Sequence, residues 1–407
     1  MEYEFFIFVI VMQSLHTAYR TFFGKGDALY QLFAPYRICP LGAHVDHQHG
    51  LVSGFAFDSG IEFLFSATET GKVEMASLSF EGLMTFNVQR PVEERQGNWG
   101  DYLRGAVWAL QQDFHLTYGI RGIVKGSMPI GGLSSSAALL CGFVMALDKV
   151  NHLGLDRKQI IHYASVAERQ YVGLNNGILD QACVVLCEAD KLLYLDTRTG
   201  DHRLIPFGGE NPRPLPFKLG IFFSGVTRKL TGTDYNLRVA ECKTAAWIMQ
   251  AYEDEKLREF EDTRLRDVEE EVFEKYQDRM PERFARRARH FYSECDRVTA
   301  GVKAWEAGDI GEFGKLVFES CESSMNNYEC GSPELIELYR IMKETDGIYG
   351  GRFSGAGFKG ACIALVDPSK EEEIRRAVTE KYLARYPQYK DSMEIFFCNP
   401  ADGVDFL

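Results

Sequence analysis

Short β-like runs dominate the first third of the chain and predict strands over residues 61–68, 72–78 and 84–88. Upstream, residues 13–23 form an amphipathic stretch, preceded by an apolar run at 5–12. Residues 98–111 read as a helix and 120–127 as a strand, closed by Pro129, Gly131 and Gly132. The next segment, 134–150, is apolar on nearly every face, which predicts a buried helix. Asp156 is placed to cap a further helix running to Val172, with Ile160, Ala164, Ala167 and Tyr171 at helical spacing.

From Leu192 onward, strands (192–196, 219–223) alternate with charged helical stretches over 233–251 and 253–276. The charge of the second stretch is that of a solvated face and carries no function. Residues 351–366 are again β-rich, and a helix after Pro368 and a strand over 393–398 are expected. Strands mixed with helices, without strict βαβ alternation, predict an α+β fold. The expected division is into two domains, 1–205 and 206–407.

Composition narrows the classes. A chain of 407 residues, 45% hydrophobic and 25% charged, has room for two globular domains. A net charge of −13 lacks the basic footprint of a nucleic-acid binder. Ten cysteines without a CxxC pair predict reduced, mostly buried thiols in a cytoplasmic protein. The run at 5–12 is too short to span a bilayer and is flanked by Glu2 and Glu4. Nothing around it resembles a signal peptide, and no membrane partner is expected.

The strongest chemical signal is Pro129-Ile-Gly-Gly-Leu-Ser-Ser-Ser-Ala-Ala138. Glycines let backbone approach a ligand closely, and the opening of a helix offers unpaired N–H groups to a phosphate. Serine hydroxyls add hydrogen bonds or a ligand for Mg²⁺. The plain alternative is a capped helix after a turn. No Walker A pattern occurs in the chain.

Four further segments accompany it: Arg37-Ile-Cys-Pro-Leu-Gly-Ala-His-Val-Asp-His47, Gly177-Ile-Leu-Asp-Gln181, Tyr235-Asn-Leu-Arg-Val-Ala-Glu-Cys242 and Arg352-Phe-Ser-Gly-Ala-Gly-Phe-Lys-Gly-Ala-Cys362. Together with residues 323–335 they resemble, in order, the motifs of the GHMP kinases in their galactokinase branch. The resemblance runs from about residue 34 to 362. It implies a two-domain GHMP kinase fold with the active site between the domains, and phosphorylation of the anomeric hydroxyl of a galactose-type sugar from ATP with Mg²⁺.

Matched position by position, Asp180 is implied as the catalytic aspartate and Arg37 as its partner. An opposite charge beside Asp180 keeps it ionised, able to orient or deprotonate the sugar C1 hydroxyl. Glu168 and Ser136 match the Mg²⁺ ligands. Gly131, Gly132, Leu133, Ser134, Ser135 and Ser136 match the phosphate loop, and Trp99 matches an adenine-stacking tryptophan. Ala43, His44, Asp46, Gly177 and Tyr235 match the sugar pocket. Taken alone, Asp180 is a turn or cap residue, Glu168 a solvated helix residue and Trp99 a core residue; the motifs lift them.

The chain departs from galactokinases at Ala43, Cys39 and Pro40, where they carry Glu, Asn and Leu. These residues, with 326–331 and 349–354, look closer to the galacturonate-phosphorylating members of the family. Loss of the glutamate removes a negative charge facing the C6 end of the sugar. D-galacturonate is therefore the expected substrate and D-galactose the alternative, with Arg228, Lys229 and Arg238 as candidate carboxylate donors.

Three other readings compete. Residues 355–360 fit GxGxxG, but a strand and not a helix is expected after them, which excludes a dinucleotide fingerprint. The run His44-Val-Asp-His-Gln-His49 suggests a Zn²⁺ hydrolase, yet its order is unusual and no second histidine cluster completes it. A non-catalytic sugar sensor of the same family would depart in the phosphate loop, which is intact here alongside Asp180 and Arg37.

Overall fold

The computed structural model describes residues 14–24, 29–92, 94–129, 131–226, 233–253, 257–358 and 360–407. The apolar run at 5–12, Ile130, Arg228, Lys229 and Lys359 lie outside these residues. A first helix, α1 (Leu15–Phe23), is capped by Ser14 and packs Leu15, Ala18 and Tyr19 against Leu64, Ala76 and Ile123. This is the amphipathic stretch seen in the sequence.

The first sheet holds β1 (Tyr30–Ile38), β2 (Leu51–Thr68), β3 (Lys72–Ser77), β4 (Met84–Asn87), β5 (Gly119–Gly126), β6 (Lys191–Asp196) and β7 (His202–Pro206). Its main path runs β13-β1-β2-β5-β3-β4, where β13 (Asp405–Phe406) and the neighbouring β12 (Pro400–Ala401) return from far along the chain. β2 is the spine: β1 pairs with it antiparallel, β5 follows along 61–68, and β6 takes its first four residues. The second sheet, β11-β8-β10-β9, is antiparallel throughout and contains β8 (Lys218–Phe223), β9 (Ile348–Phe353), β10 (Ala361–Val366) and β11 (Glu394–Cys398).

Helices α2 (Gly100–Leu110), α3 (Ser135–Asn151), α4 (Arg157–Val166) and α5 (Leu179–Leu186) belong to the first half. α3 and α5 rest directly on β1 and β2. The all-round apolar character of α3 is explained by that contact together with α2 and α4 on its other sides. α6 (Thr233–Tyr252), α7 (Glu270–Tyr276), α8 (Glu282–Glu306), α9 (Ile310–Ser323), α10 (Pro333–Lys343) and α11 (Glu371–Arg385) complete the chain. α8 packs on β2, α6 and α9, and so joins the two halves.

Two expected helices differ in detail. Residues 253–276 are not one helix: among the described residues they form short 3-10 turns, Phe260–Asp262 and Leu265–Asp267, before α7. Side chains here compete with the helical ladder. Thr263 Oγ1 bonds the Glu259 carbonyl, Asp267 accepts from the Arg264 N–H, and the buried Leu265 donates its N–H to Gln48 Oε1. The helix expected from Asp156 to Val172 begins there, with a full capping box, but widens into a π-turn over Ala167–Val172. The inserted turn carries Glu168, a placement common at functional sites.

Candidate active site

Arg37 lies near the end of β1 and is 4% exposed. Its Nε donates to Asp180 Oδ1 at 2.7 Å, and Nη1 reaches the Gly132 carbonyl at 3.4 Å. Burial alone would weaken the guanidinium's hold on its proton, but Asp180 overrides this and raises its pKa. The second oxygen of Asp180 accepts the hydroxyl of Ser134. Asp180 sits in the first turn of α5, so a carboxylate from one helix, a cation from one strand and a hydroxyl from the phosphate loop are fixed as a unit.

Ser134 has φ +56, an uncommon conformation for a residue with a side chain. As the N-cap of α3 it makes no side-chain bond to that helix, because its hydroxyl is turned to Asp180. The first-turn amides of α3 are therefore left for another partner. The loop itself is gripped by the glycine-rich segment of residues 354–360. Ser354 donates its hydroxyl to the Gly132 carbonyl. A Cβ at Gly360 would meet the Gly131 carbonyl carbon at 2.8 Å, and one at Gly132 the Ser354 carbonyl oxygen at 2.9 Å. These glycines bring two backbones together, and β10 rather than a helix follows, as the rejection of the dinucleotide reading anticipated.

Two cavities meet at this loop. The smaller, about 350 Å³, is lined by Arg37, Cys39, Ala43, His44, Asp46, Gly131, Gly132, Ser134, Ser135, Ser136, Asp180 and Tyr235, with Tyr102, Asn176, Phe353 and Ser354 among the rest. The larger, about 800 Å³, shares Tyr102, Ser135 and Ser136 with it and extends past Trp99, Asn98, Ser77, Leu139 and Val172. Trp99 is buried as well as cavity-lining, its Nε1 donating to the Glu81 carbonyl at 3.4 Å. Asp101 holds the preceding loop by accepting the Gln96 and Gly97 N–H groups, and is itself paired with Arg104 at 2.8 Å. Leu133 lies in the core, its carbonyl accepting from the Arg37 N–H.

Gly177 lines neither cavity but sits against one wall: a Cβ there would stand 2.5 Å from Asp46 Oδ2. Asp46 is 8% exposed, and burial followed by the nearby Asp180 charge pushes its pKa up to about 6. Glu168 is 1% exposed. One of its oxygens accepts from Asn176 Nδ2 at 2.8 Å and Gln181 Nε2 at 2.5 Å, and its carboxylate is bonded to Ser136. Burial and Asp180 raise its pKa while those three hydrogen bonds oppose the rise. Hard oxygen donors from Glu168 and Ser136, beside open helix amides, fit a divalent cation held together with phosphate.

The histidine run does not gather into a ligand set. His44, at φ +62, stacks on Tyr328 with ring centroids 4.4 Å apart and donates Nε2–H to the Gly355 carbonyl. His47 accepts from Gln48 and donates to the Tyr328 hydroxyl. Burial keeps both uncharged, His47 being lowered to about 3. Arg238, expected to face a substrate carboxylate, instead donates to Glu241 and to the Glu329 carbonyl and lines neither cavity. It is tied down by a carboxylate on its own helix and a backbone carbonyl from the turn after α9.

Sequence reasoning missed the support on α8. His290 Nε2–H donates to the Ala43 carbonyl at 3.0 Å, and Glu294, one turn later, accepts the Gly42 N–H at 2.9 Å. Both side chains are buried on a face shared with Phe291, Val298, Gly301 and Trp305 and with the buried Arg287. A polar pair four residues apart inside an apolar stripe was the available signal.

Residues 101–188 match the family described as GHMP kinases N terminal domain, and residues 302–384 match GHMP kinases C terminal. The chain is 39% identical over 399 residues to the galacturonokinase of Arabidopsis thaliana, covering 92% of each chain. It is 32% identical to the galactokinase of Pyrococcus furiosus, over 91% of this chain and 97% of that one. Among solved structures it is similar to Lactococcus lactis galactokinase complexed with galactose, with a TM-score of 0.87, 28% identity, and coverage of 96% and 98%.

Proposed function

Because the chain belongs to the GHMP kinase family, in its galactokinase branch, we propose that it is an ATP-dependent sugar 1-kinase converting D-galacturonate to galacturonate 1-phosphate. The observation that carries this reading is the Arg37–Asp180–Ser134 unit on the wall of the smaller cavity, next in the chain to Ser135 and Ser136, which line both cavities, with Ala43 on that same wall. The nucleotide occupies the larger cavity, adenine towards Trp99 and phosphates at the loop 131–136. The sugar occupies the smaller cavity against His44, Asp46 and Tyr235, with Gly177 keeping Asp46 in place.

Asp180 holds the C1 hydroxyl and takes up its proton as the oxygen attacks the γ-phosphorus and ADP leaves. Arg37 pairs with Asp180 and offsets charge on the transferred phosphoryl group. The α3 amides and the Ser135 and Ser136 hydroxyls orient the phosphates. Ser136 and Glu168 are the residues that would hold Mg²⁺, which when bound neutralises phosphate charge. The ten cysteines are unpaired, nine of them buried, which supports a reducing, cytoplasmic location. Residues 1–205, joined by the returning strands β12 and β13, and residues 206–399 serve as the two lobes, each contributing a wall of the sugar site.

Ala43 carries the choice of sugar. A glutamate there would face the C6 carboxylate at about 4 Å, a repulsion of about 4 kcal/mol at an effective dielectric of about 20. Paired kinetics on wild type and Ala43→Glu test this. Wild type is expected to prefer galacturonate, and the variant to lose that activity roughly a thousandfold while gaining on galactose. A wild-type preference for galactose would replace the substrate and leave the kinase standing.

A further inference from the structure

A uronate brings a full negative charge into the smaller cavity, so the balance of buried cations around that cavity matters. Among the described residues, Arg37 is committed to Asp180, and Arg238 to Glu241 and a carbonyl. Arg352 differs. It is 1% exposed near the end of β9, immediately before the cavity-lining Phe353 and Ser354. Its Nη1 bonds the Ser320 hydroxyl and stands 3.5 Å from Glu294 Oε1, while Nη2 donates to Ser324 Oγ at 3.1 Å.

That same Glu294 oxygen accepts the Gly42 N–H, so the Arg352–Glu294 pair lies directly behind the turn that carries Ala43. The other oxygen of Glu294 is taken by Arg297 at 2.7 Å. Two guanidiniums therefore share one carboxylate. Burial opposes ionisation of Glu294, yet Arg297 and Arg352 hold its pKa down at about 2. His290, the neighbouring titratable group on α8, is lowered to about 4 by burial and adds no charge at neutral pH. The surplus reaches the cavity wall, for Arg352 is the foremost charge acting on both Cys39 and His44, on either side of Ala43.

We propose that Arg352 is the specificity-determining cation of this site, acting through the 42–44 turn rather than by touching the sugar. It supplies the positive potential in which a substrate carboxylate takes the place of the glutamate that galactokinases carry at position 43. A buried charge with half a partner is costly, and a ligand that completes the pairing recovers that cost where a neutral hydroxymethyl group does not. This rests on the uronate reading above and names what that reading left without a cation.

The test is kcat and KM for galacturonate and galactose in wild type, Arg352→Gln, Arg352→Lys and Arg297→Gln, each checked for a cooperative melt. Arg352→Gln is expected to raise the galacturonate KM about tenfold more than the galactose KM, and Arg352→Lys to keep the ratio within about threefold of wild type. Arg297 lines neither cavity; Arg297→Gln removes one charge from the cluster and is expected to raise the KM ratio about threefold. An equal rise for both sugars in Arg352→Gln would mean a packing role and overturn the proposal. Should that variant not fold, Arg297→Gln decides, and an unchanged ratio overturns it. Wild type that favours galactose would instead strike the substrate reading itself.

Discussion

The larger cavity is lined entirely by residues between Tyr36 and Val172, whereas the smaller one also draws on Asp180, Tyr235 and the segment 353–358. One is therefore a feature of the first sheet and its helices, and the other exists only where both sheets are docked. Their chemistry differs in the same direction. The walls of the larger cavity are mostly hydroxyls, an indole and apolar side chains, with Glu81, Arg95 and Asp101 among them. Buried ionised groups line the smaller one, each held by a partner from another element. In the proposed assignment, discrimination resides where assembly is most demanding, and generic recognition where the fold is local.

The comparison breaks first at Asp180, if it breaks. Asp180→Asn loses the charge paired with Arg37 and cannot take a proton, so kcat should fall about a thousandfold or more. Affinity for a non-hydrolysable ATP analogue, measured calorimetrically, should stay within about threefold; a parallel collapse would mean the two cavities are not separable. Glu168 is buried behind their junction, bonded to Ser136, which lines both cavities. Glu168→Ala should lower kcat about a hundredfold and shift the Mg²⁺ titration to higher concentration, while moving the sugar KM much less.

Trp99→Ala sharpens the other side. Loss of a stacking face should raise the ATP KM roughly tenfold and leave the sugar KM unmoved. The last effect concerns stability. The Asp46 carboxyl is raised from an ordinary value of 3.8 to about 6, so the fold favours its protonated form. Stability from this group is full below pH 4 and is lost as pH rises through 6. Asp46→Asn should therefore raise the melting temperature at pH 7.5, by up to about 3 kcal/mol of stability, and change nothing at pH 4. It should also weaken sugar binding, setting the cost of the buried carboxylate against its use.

Legibility in the sequence followed the locality of the cause. The α3 helix, β3 and β5 were readable because their apolar pattern answers to neighbours in the same half. The phosphate loop and the glycine-rich segment were readable as motifs, since backbone-to-backbone approach leaves glycine no substitute. β1 was not, because Arg37 is buried by partners over ninety residues away. Neither were Glu294 and Arg352, which would be unremarkable charged residues without the distant groups that bury them. The π-turn at Glu168 escaped for a related reason: one inserted residue leaves the helical spacing of Ile160, Ala164 and Ala167 untouched.

The pairing of β13 with β1 has a consequence for the order of synthesis. Leu32 lies opposite Phe406, and Phe33 opposite Asp405. On a ribosome adding about 5–20 residues per second, β1 waits roughly 20–75 s after its own emergence before its outer partner exists. Over that interval a strand carrying Leu32, Phe33 and Ala34 presents a bare edge, open to pairing with any nascent neighbour. Spacing nascent chains apart, by slowing initiation and so lowering polysome density, should raise the yield of folded protein.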